Sequence, residues 1–194
     1  MEEKSLKTLK IDPQFKNLIR SLQKKEYLLL EENLFADGCR DPLITWKGVI
    51  IDGHNRYEIC MRHGIPFNVV EMDFVYREEA VAWICANQLG RRNISEETRR
   101  FLIGKQYEAE KTASRIKNPR DLNQYTGELS EPDESTIARD ARHQTAARIA
   151  QENHISRATV EKYAIYSRAV DAISEKEPEI VPKSLFKIFS GEEQ

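Results

Sequence analysis

The sequence predicts an α+β fold in two parts, a small α/β domain over residues 1–76 and an all-helical domain over residues 77–176. Three observations predict it. Two short apolar runs flanking Lys47-Gly48 have the pattern of a hairpin. Short strand-like and short helix-like runs alternate over the first 75 residues. From Arg77 onward the apolar residues fall at helical spacing.

The elements follow in order. Residues 5–11 alternate as a short strand and stop at Asp12-Pro13, where Asp12 can cap a helix and Pro13 can occupy its first position. Phe15, Leu18, Ile19 and Leu22 continue at helical spacing. A second helix is expected from Lys24 to Phe35, with Tyr27, Leu28, Leu30 and Leu34 as its apolar members and Asp37-Gly38 as its stop. The hairpin comes next, then a helix from Tyr57 to His63 ended by Gly64, then a strand over Phe67–Val70. Ala80, Val81, Ile84 and Cys85 form one helical face. Ser95 with Thr98 opens another helix, carrying Glu96 and Glu97 in its first turn and running to about Arg115. Residues 117–136, with Asn118-Pro119, Thr126-Gly127 and Glu131-Pro132 and little apolar content, read as a mobile linker. Helix resumes near Ile137 and continues to about Glu175, and residues 177–194 form a tail with a last helical turn at Leu185–Phe189.

Composition narrows the function classes. The chain has 194 residues, 40% hydrophobic and 32% charged, with a formal net charge of −2. That balance carries no global polyelectrolyte signal, so any DNA contact needs a local basic face. No apolar run reaches the roughly 20 residues that span a bilayer, and the start lacks a signal-peptide pattern. Cys39, Cys60 and Cys85 are odd in number and widely spaced, as in a reduced cytoplasmic protein.

Ile50-Ile51-Asp52-Gly53-His54-Asn55-Arg56-Tyr57-Glu58 is the first chemical motif. A strand breaks into a glycine turn and then a polar helix, which can aim backbone N–H groups at an anion. Arg56 adds a planar fork of donors suited to phosphate or carboxylate. The same residues also fit an ordinary bend in which Gly53 supplies φ > 0 and Arg56 is solvated, and local sequence leaves both readings open.

Residues 145–163 form the second motif, a helix-turn-helix pattern. Ala146, Ala147 and Ala150 are small enough for one helix to cross closely over the other, and Ile149, Ile155 and Val160 are spaced to fill the wedge between them. Ser156 can cap the second helix, leaving Arg157, Ala158, Thr159 and Lys162 on the half that would enter a major groove, with Thr145 as a further DNA contact. Arg157 and Lys162 suit phosphate or guanine, and Thr159 suits phosphate or a thymine methyl. Where such turns ordinarily carry Gly, this chain has Asn153-His154, and Asn is the residue expected to tolerate a left-handed backbone. A plain helical hairpin is the alternative; agreement of the small, apolar and capping positions favours a DNA reader.

In this order the two motifs resemble the ParB/sulfiredoxin superfamily, and specifically ParB-like partition proteins, over roughly residues 5 to 175. Gly38-Cys39-Arg40-Asp41-Pro42-Leu43 with Trp46, Asp52-Gly53-His54-Asn55-Arg56-Tyr57, and Ala86-Asn87-Gln88-Leu89-Gly90-Arg91-Arg92-Asn93-Ile94-Ser95 are similar to three successive segments of that family. The resemblance implies binding of CTP with Mg²⁺, phosphate held by Gly53, His54, Asn55 and Arg56, and Asn87 beside the cation. Ala86 stands where the family has Glu, removing a hard oxygen ligand, and His54-Asn55 replaces Glu-Arg. It therefore implies a bound nucleotide acting as a switch, with weak hydrolysis at most. It also implies DNA as partner, a homodimer, no membrane, and a role in plasmid or mobile-element partition, replication or local gene control.

Other chemistries are weaker. Sulfiredoxin activity needs a cysteine inside the turn, where position 54 is His. The superfamily also contains free-serine kinases, which is the enzyme alternative, with Glu31 or Glu32 as the acidic base. Cys60 and His63 are two metal-type residues without a second pair, which does not make a zinc site. Arg91-Arg92 and Arg99-Arg100 either contact nucleic-acid phosphate or pair with Glu96, Glu97 and Glu108.

Overall fold

The structure is a computed structural model that describes residues 7–91, 94–117 and 134–176. It divides into two compact units, Met1–Val75 and Tyr76–Gln194.

The first unit begins with a stretch expected to be a strand. Among its described residues it pairs only at Lys10, which bridges to Val49 in parallel, with Lys10 N–H donating to the Gly48 carbonyl (3.1 Å) and Ile50 N–H to the Lys10 carbonyl (2.9 Å). The reason lies one residue earlier. The Tyr57 hydroxyl accepts from the Leu9 N–H (3.0 Å) and donates to the Leu9 carbonyl (3.3 Å), so that residue's backbone is satisfied without a ladder. Helix α1 (Pro13–Asn17) starts as anticipated, with Asp12 accepting from the N–H groups of Gln14 (2.8 Å) and Phe15 (3.3 Å) and Pro13 inside the first turn. It ends after five residues, and Leu18 and Ile19 are buried beyond its end.

Helix α2 (Lys24–Asp37) is closed at its start by Glu26, which accepts from the Gln23 N–H (2.8 Å) and from Arg20 (2.6 Å). The Arg20 hydrogen bond holds the Glu26 carboxyl below the ordinary carboxylate value. Strands β1 (Leu43–Trp46) and β2 (Val49–Asp52) form the expected antiparallel hairpin, with a register irregularity between Ile44 and Thr45. Lys47 (φ 49°) and Gly48 (φ 72°) both have positive φ, the tight-turn geometry that matches strand twist. Glu71 secures this turn, accepting from the Thr45 hydroxyl and from the Gly48 N–H (3.2 Å). Helix α3 (His54–His63) begins three residues earlier than its apolar pattern suggests and ends at Gly64 in the left-handed region. Strand β3 (Val69–Glu71) then pairs with β1 in parallel, giving the order β2-β1-β3. Leu9, Leu43, Ile50 and Tyr57 form one part of the core; Leu34, Cys39, Ile59 and Cys60 form another.

The second unit contains α4 (Arg77–Leu89), α5 (Glu96–Lys117), α6 (Glu134–Glu152) and α7 (Arg157–Lys176). Ser95 caps α5, accepting from the Thr98 N–H (3.1 Å). Most of the anticipated linker (118–133) and all of the tail (177–194) lie outside the described residues; α6 is already helical at Glu134. Ile103, Tyr107, Ala146, Ile149, Ala150, Val160 and Ala164 form the core. At Gly104, α5 comes into backbone contact range of α7. A Cβ there would lie 2.0 Å from the Tyr163 carbonyl oxygen of α7. Ion pairs flank this crossing: Lys105–Asp171 (2.6 Å), Glu108–Arg168 (2.7 Å), and Glu110–Arg148 between α5 and α6. Among the described residues no helix is long and apolar enough to cross a membrane.

Candidate functional site

The Gly53 turn brings part of the anticipated phosphate site together in the first unit. Gly53 is left-handed (φ 93°, ψ 19°) at the N-cap of α3, and no side chain caps that helix. The backbone N–H groups of its first turn are the donors an anion would use. A Cβ at Gly53 would meet Leu43 Cδ2 at 2.6 Å and Arg56 at 3.0 Å, so the turn has no room for a larger residue.

Arg56 sits beneath the turn with its side chain 22% exposed. Its Nη2 donates to Asp52 (3.0 Å) and to the Pro42 carbonyl (3.3 Å), and its Nη1 lies 3.8 Å from Asp41. The guanidinium thereby ties the loop before β1 to the end of β2. Its buried Nε has no hydrogen-bond partner among the described residues. Asn55 is half-buried.

His54 behaves unlike a phosphate ligand. The residue is 5% exposed, and neither ring nitrogen has a hydrogen-bond partner among the described residues. Burial, with Lys16 nearby, pushes its pKa from the ordinary 6.5 down to about 4, against weaker opposing pulls from Asp52 and Asp12. The ring is neutral at pH 7 and offers an anion no charge. What residue 54 contributes to the turn is its backbone N–H.

The sign of the pH effect follows. Between pH 6.5 and about 4 the unfolded chain takes up a proton at residue 54 that the folded unit excludes, so stability falls as pH falls through that window. At about 1.4 kcal/mol per pKa unit the full loss is about 3 kcal/mol, reached below pH 4. His54→Leu removes this dependence and costs little at pH 7.5, because no hydrogen bond is lost. Urea midpoints of both proteins at pH 7.5 and 4.5 check it. An equal acid loss in the two would contradict the assignment, since the Glu26 and Glu71 contributions are common to both.

Glu31 and Glu32, considered as an acidic base, lie on α2. Glu31 accepts from His63 Nε2 (2.7 Å) and lies 3.8 Å from Arg62, joining α2 to α3, while Glu32 is exposed. Cys60 is fully buried.

Asn87 and Ala86 are exposed on α4, in the second unit. Gln88 beside them is 1% exposed, with neither amide atom partnered among the described residues. Arg100 pairs with Glu96 (3.4 Å), and Arg92 lies outside the described residues.

The 145–163 motif folds as two helices joined through residues 153–156. The left-handed residue in this turn is His154 (φ 55°), whereas Asn was the expected one. Asn153 instead donates its side-chain amide to the Ile149 carbonyl (3.0 Å), closing the end of α6, and the reversal falls one residue later. Ala146 and Ala150 are buried as anticipated; Ala147 is exposed and takes no part in the crossing. Ser156 caps α7, accepting from the Thr159 N–H (3.1 Å), and the two hydroxyls contact each other at 2.8 Å. Thr145 is half-buried.

Arg157, Ala158 and Lys162 are exposed, and neither cation pairs with a carboxylate among the described residues. Their neighbours differ. Arg148 is neutralised by Glu110 and Glu152, and Arg168 by Glu108. Unpaired positive charge in this motif is thus concentrated on the first turns of α7.

No protein-family model and no curated protein sequence matches the chain. Solved structures similar to it in fold include two ParB N-domains. One, a crystal form of a pNOB8-like ParB N-domain, has a TM-score of 0.57 at 21% identity and covers 92% of this chain and 74% of that one. A second pNOB8-like ParB N-domain structure has a TM-score of 0.54 at 22% identity and covers 92% of this chain and 69% of that one. The chain has the fold of a ParB N-domain.

Proposed function

We propose that this ParB-like chain is a partition-type DNA-binding protein. Its second unit reads duplex DNA through the first half of α7, and its first unit holds a nucleotide's phosphates at the Gly53 turn as a conformational switch. One observation carries the reading: on a ParB N-domain fold, the unneutralised cations Arg157 and Lys162 lie at the start of the second helix of a helix-turn-helix pattern. An exposed helix start with two free cations and a small residue, Ala158, between them suits close approach to base edges and phosphates.

The turn fits a phosphate. Its cradle excludes a Cβ, the start of α3 carries no side-chain cap, and Arg56 can exchange Asp52 for a phosphate oxygen. CTP with Mg²⁺ is the nucleotide we propose, held by the N–H groups of His54 and Asn55 and by Arg56. Among the described residues no group of three or more His, Cys, Asp or Glu side chains could hold a cation. The ion is proposed to arrive on the phosphates. Self-association completes the proposal; a mass that stays monomeric with DNA and nucleotide present contradicts it. For the serine-kinase alternative, Glu31 is engaged by His63 and Arg62 and Glu32 is exposed, and no observation favours it.

Two experiments test the two halves. Arg157→Ala and Lys162→Ala should each weaken duplex binding about tenfold and lower its logarithmic salt slope by about one, while Arg168→Ala, whose charge is already paired, should do neither. Equal behaviour of all three variants would sink the assignment of α7. In calorimetry, CTP should give a binding heat that Arg56→Ala abolishes; no heat with any nucleoside triphosphate would leave the turn a structural bend.

A further inference from the structure

Two of the three cysteines share one buried cluster of the first unit. Cys39 lies on the loop before β1 and Cys60 on α3, one helical turn after Arg56, and both belong to the same buried cluster with Leu34 and Ile59. The Cys39 thiol lies near enough to oppose ionisation of the Cys60 thiol. The Cys39 thiol also donates to the Asp41 carbonyl (3.4 Å), which fixes it on the loop segment that Arg56 holds through Pro42. Cys85 is in the other unit and fully buried.

We propose that Cys39 and Cys60 form a reversible disulfide under peroxide, cross-linking the loop before β1 to α3 and fixing the segment that Arg56 grips. Cys39 reacts first, because it stands at the edge of the cluster (9% exposed) while Cys60 is fully enclosed. Its thiolate attacks one peroxide oxygen, the O–O bond breaks and hydroxide leaves, giving the sulfenic acid. The Cys60 sulfur then attacks that sulfur; the S–S bond forms, the S–O bond breaks, and the departing hydroxide leaves as water with the Cys60 proton. Two electrons pass from the thiol pair to peroxide. Burial and the neighbouring Cys39 push the Cys60 thiol up to about 12, which suits the resolving rather than the attacking role. A dithiol reductant restores the pair.

The test uses the full wild-type chain treated with hydrogen peroxide, then alkylated under denaturing conditions and mapped by mass spectrometry. Before alkylation the expected product is about 2 Da lighter than the reduced chain; after it, Cys85 alone is alkylated, a Cys39–Cys60 linked peptide is found, and the link reverts with dithiothreitol. Cys60→Ser should instead leave Cys39 as sulfinic acid or a mixed disulfide with added glutathione. Intact thiols at both positions after peroxide, or linkage through Cys85, would overturn the proposal. Neither outcome depends on nucleotide or DNA binding.

Discussion

Gly104→Ala should lower the melting temperature of the helical unit by more than about 10 °C and abolish DNA binding with it. In a free helix this substitution stabilises by about 1 kcal/mol, because Gly is the poorer helix former. Here the added Cβ would lie 2.0 Å from the Tyr163 carbonyl oxygen and 2.9 Å from the Ala164 nitrogen. Both are backbone atoms of a helix, so no side chain can swing aside and α5 must separate from α7. Overpacking of a well-filled core costs about 1–3 kcal/mol, and a backbone-to-backbone clash belongs at or above the top of that range. Separation would also loosen Ala164, Ile103 and Val160 and pull at the Lys105–Asp171 and Glu108–Arg168 pairs. The packing penalty wins over the propensity gain. Thermal unfolding by circular dichroism reads the sign directly, and a raised melting temperature would falsify the crossing geometry.

Gly53→Ala is the counterpart in the first unit. Its φ of 93° lies in the region where an L side chain costs about 1–2 kcal/mol. The new Cβ would also meet Leu43 Cδ2 at 2.6 Å, and Leu43 is completely enclosed and cannot retreat. Gly64→Ala supplies the control: it shares a positive φ of 68° but has nothing within 4 Å of the added carbon. The backbone cost is common to both, so the difference isolates the packing of the turn. Gly53→Ala should destabilise the unit by about 2 kcal/mol more than Gly64→Ala, read from urea midpoints. It should also remove nucleotide binding, because the start of α3 and Arg56 both move. Equal midpoints for the two variants would mean that Leu43 does not wall the turn.

What could be read from the chain alone was local. Asp12-Pro13, Lys47-Gly48 and Ser95 with Thr98 identify themselves because a cap or tight turn is built from neighbours in sequence. The failures share a cause, which is tertiary contact. Residues 5–11 alternate like a strand, but a hydroxyl 48 positions away takes the backbone bonds of Leu9. The state of the His54 ring was equally illegible, because packing encloses it and strips its charge. Ala146 and Ala150 announced a close helix crossing, but the close approach of α5 to α7 rests on Gly104, an isolated glycine in a helical pattern with no local reason to be there. The polar spacing of Asn153-His154 located the turn, and only the Asn153 side-chain bond to Ile149 decided which residue reverses the chain.

The free cations of α7 are the most exposed part of the account. Titrating the wild-type chain onto duplex DNA over a range of salt concentrations tests them most directly. The account predicts binding at low salt that falls linearly in log–log form as phosphate counterions are released, with a slope that drops by about one in Arg157→Ala and again in Lys162→Ala. Binding indifferent to salt, or no binding at the lowest salt tested, would contradict it.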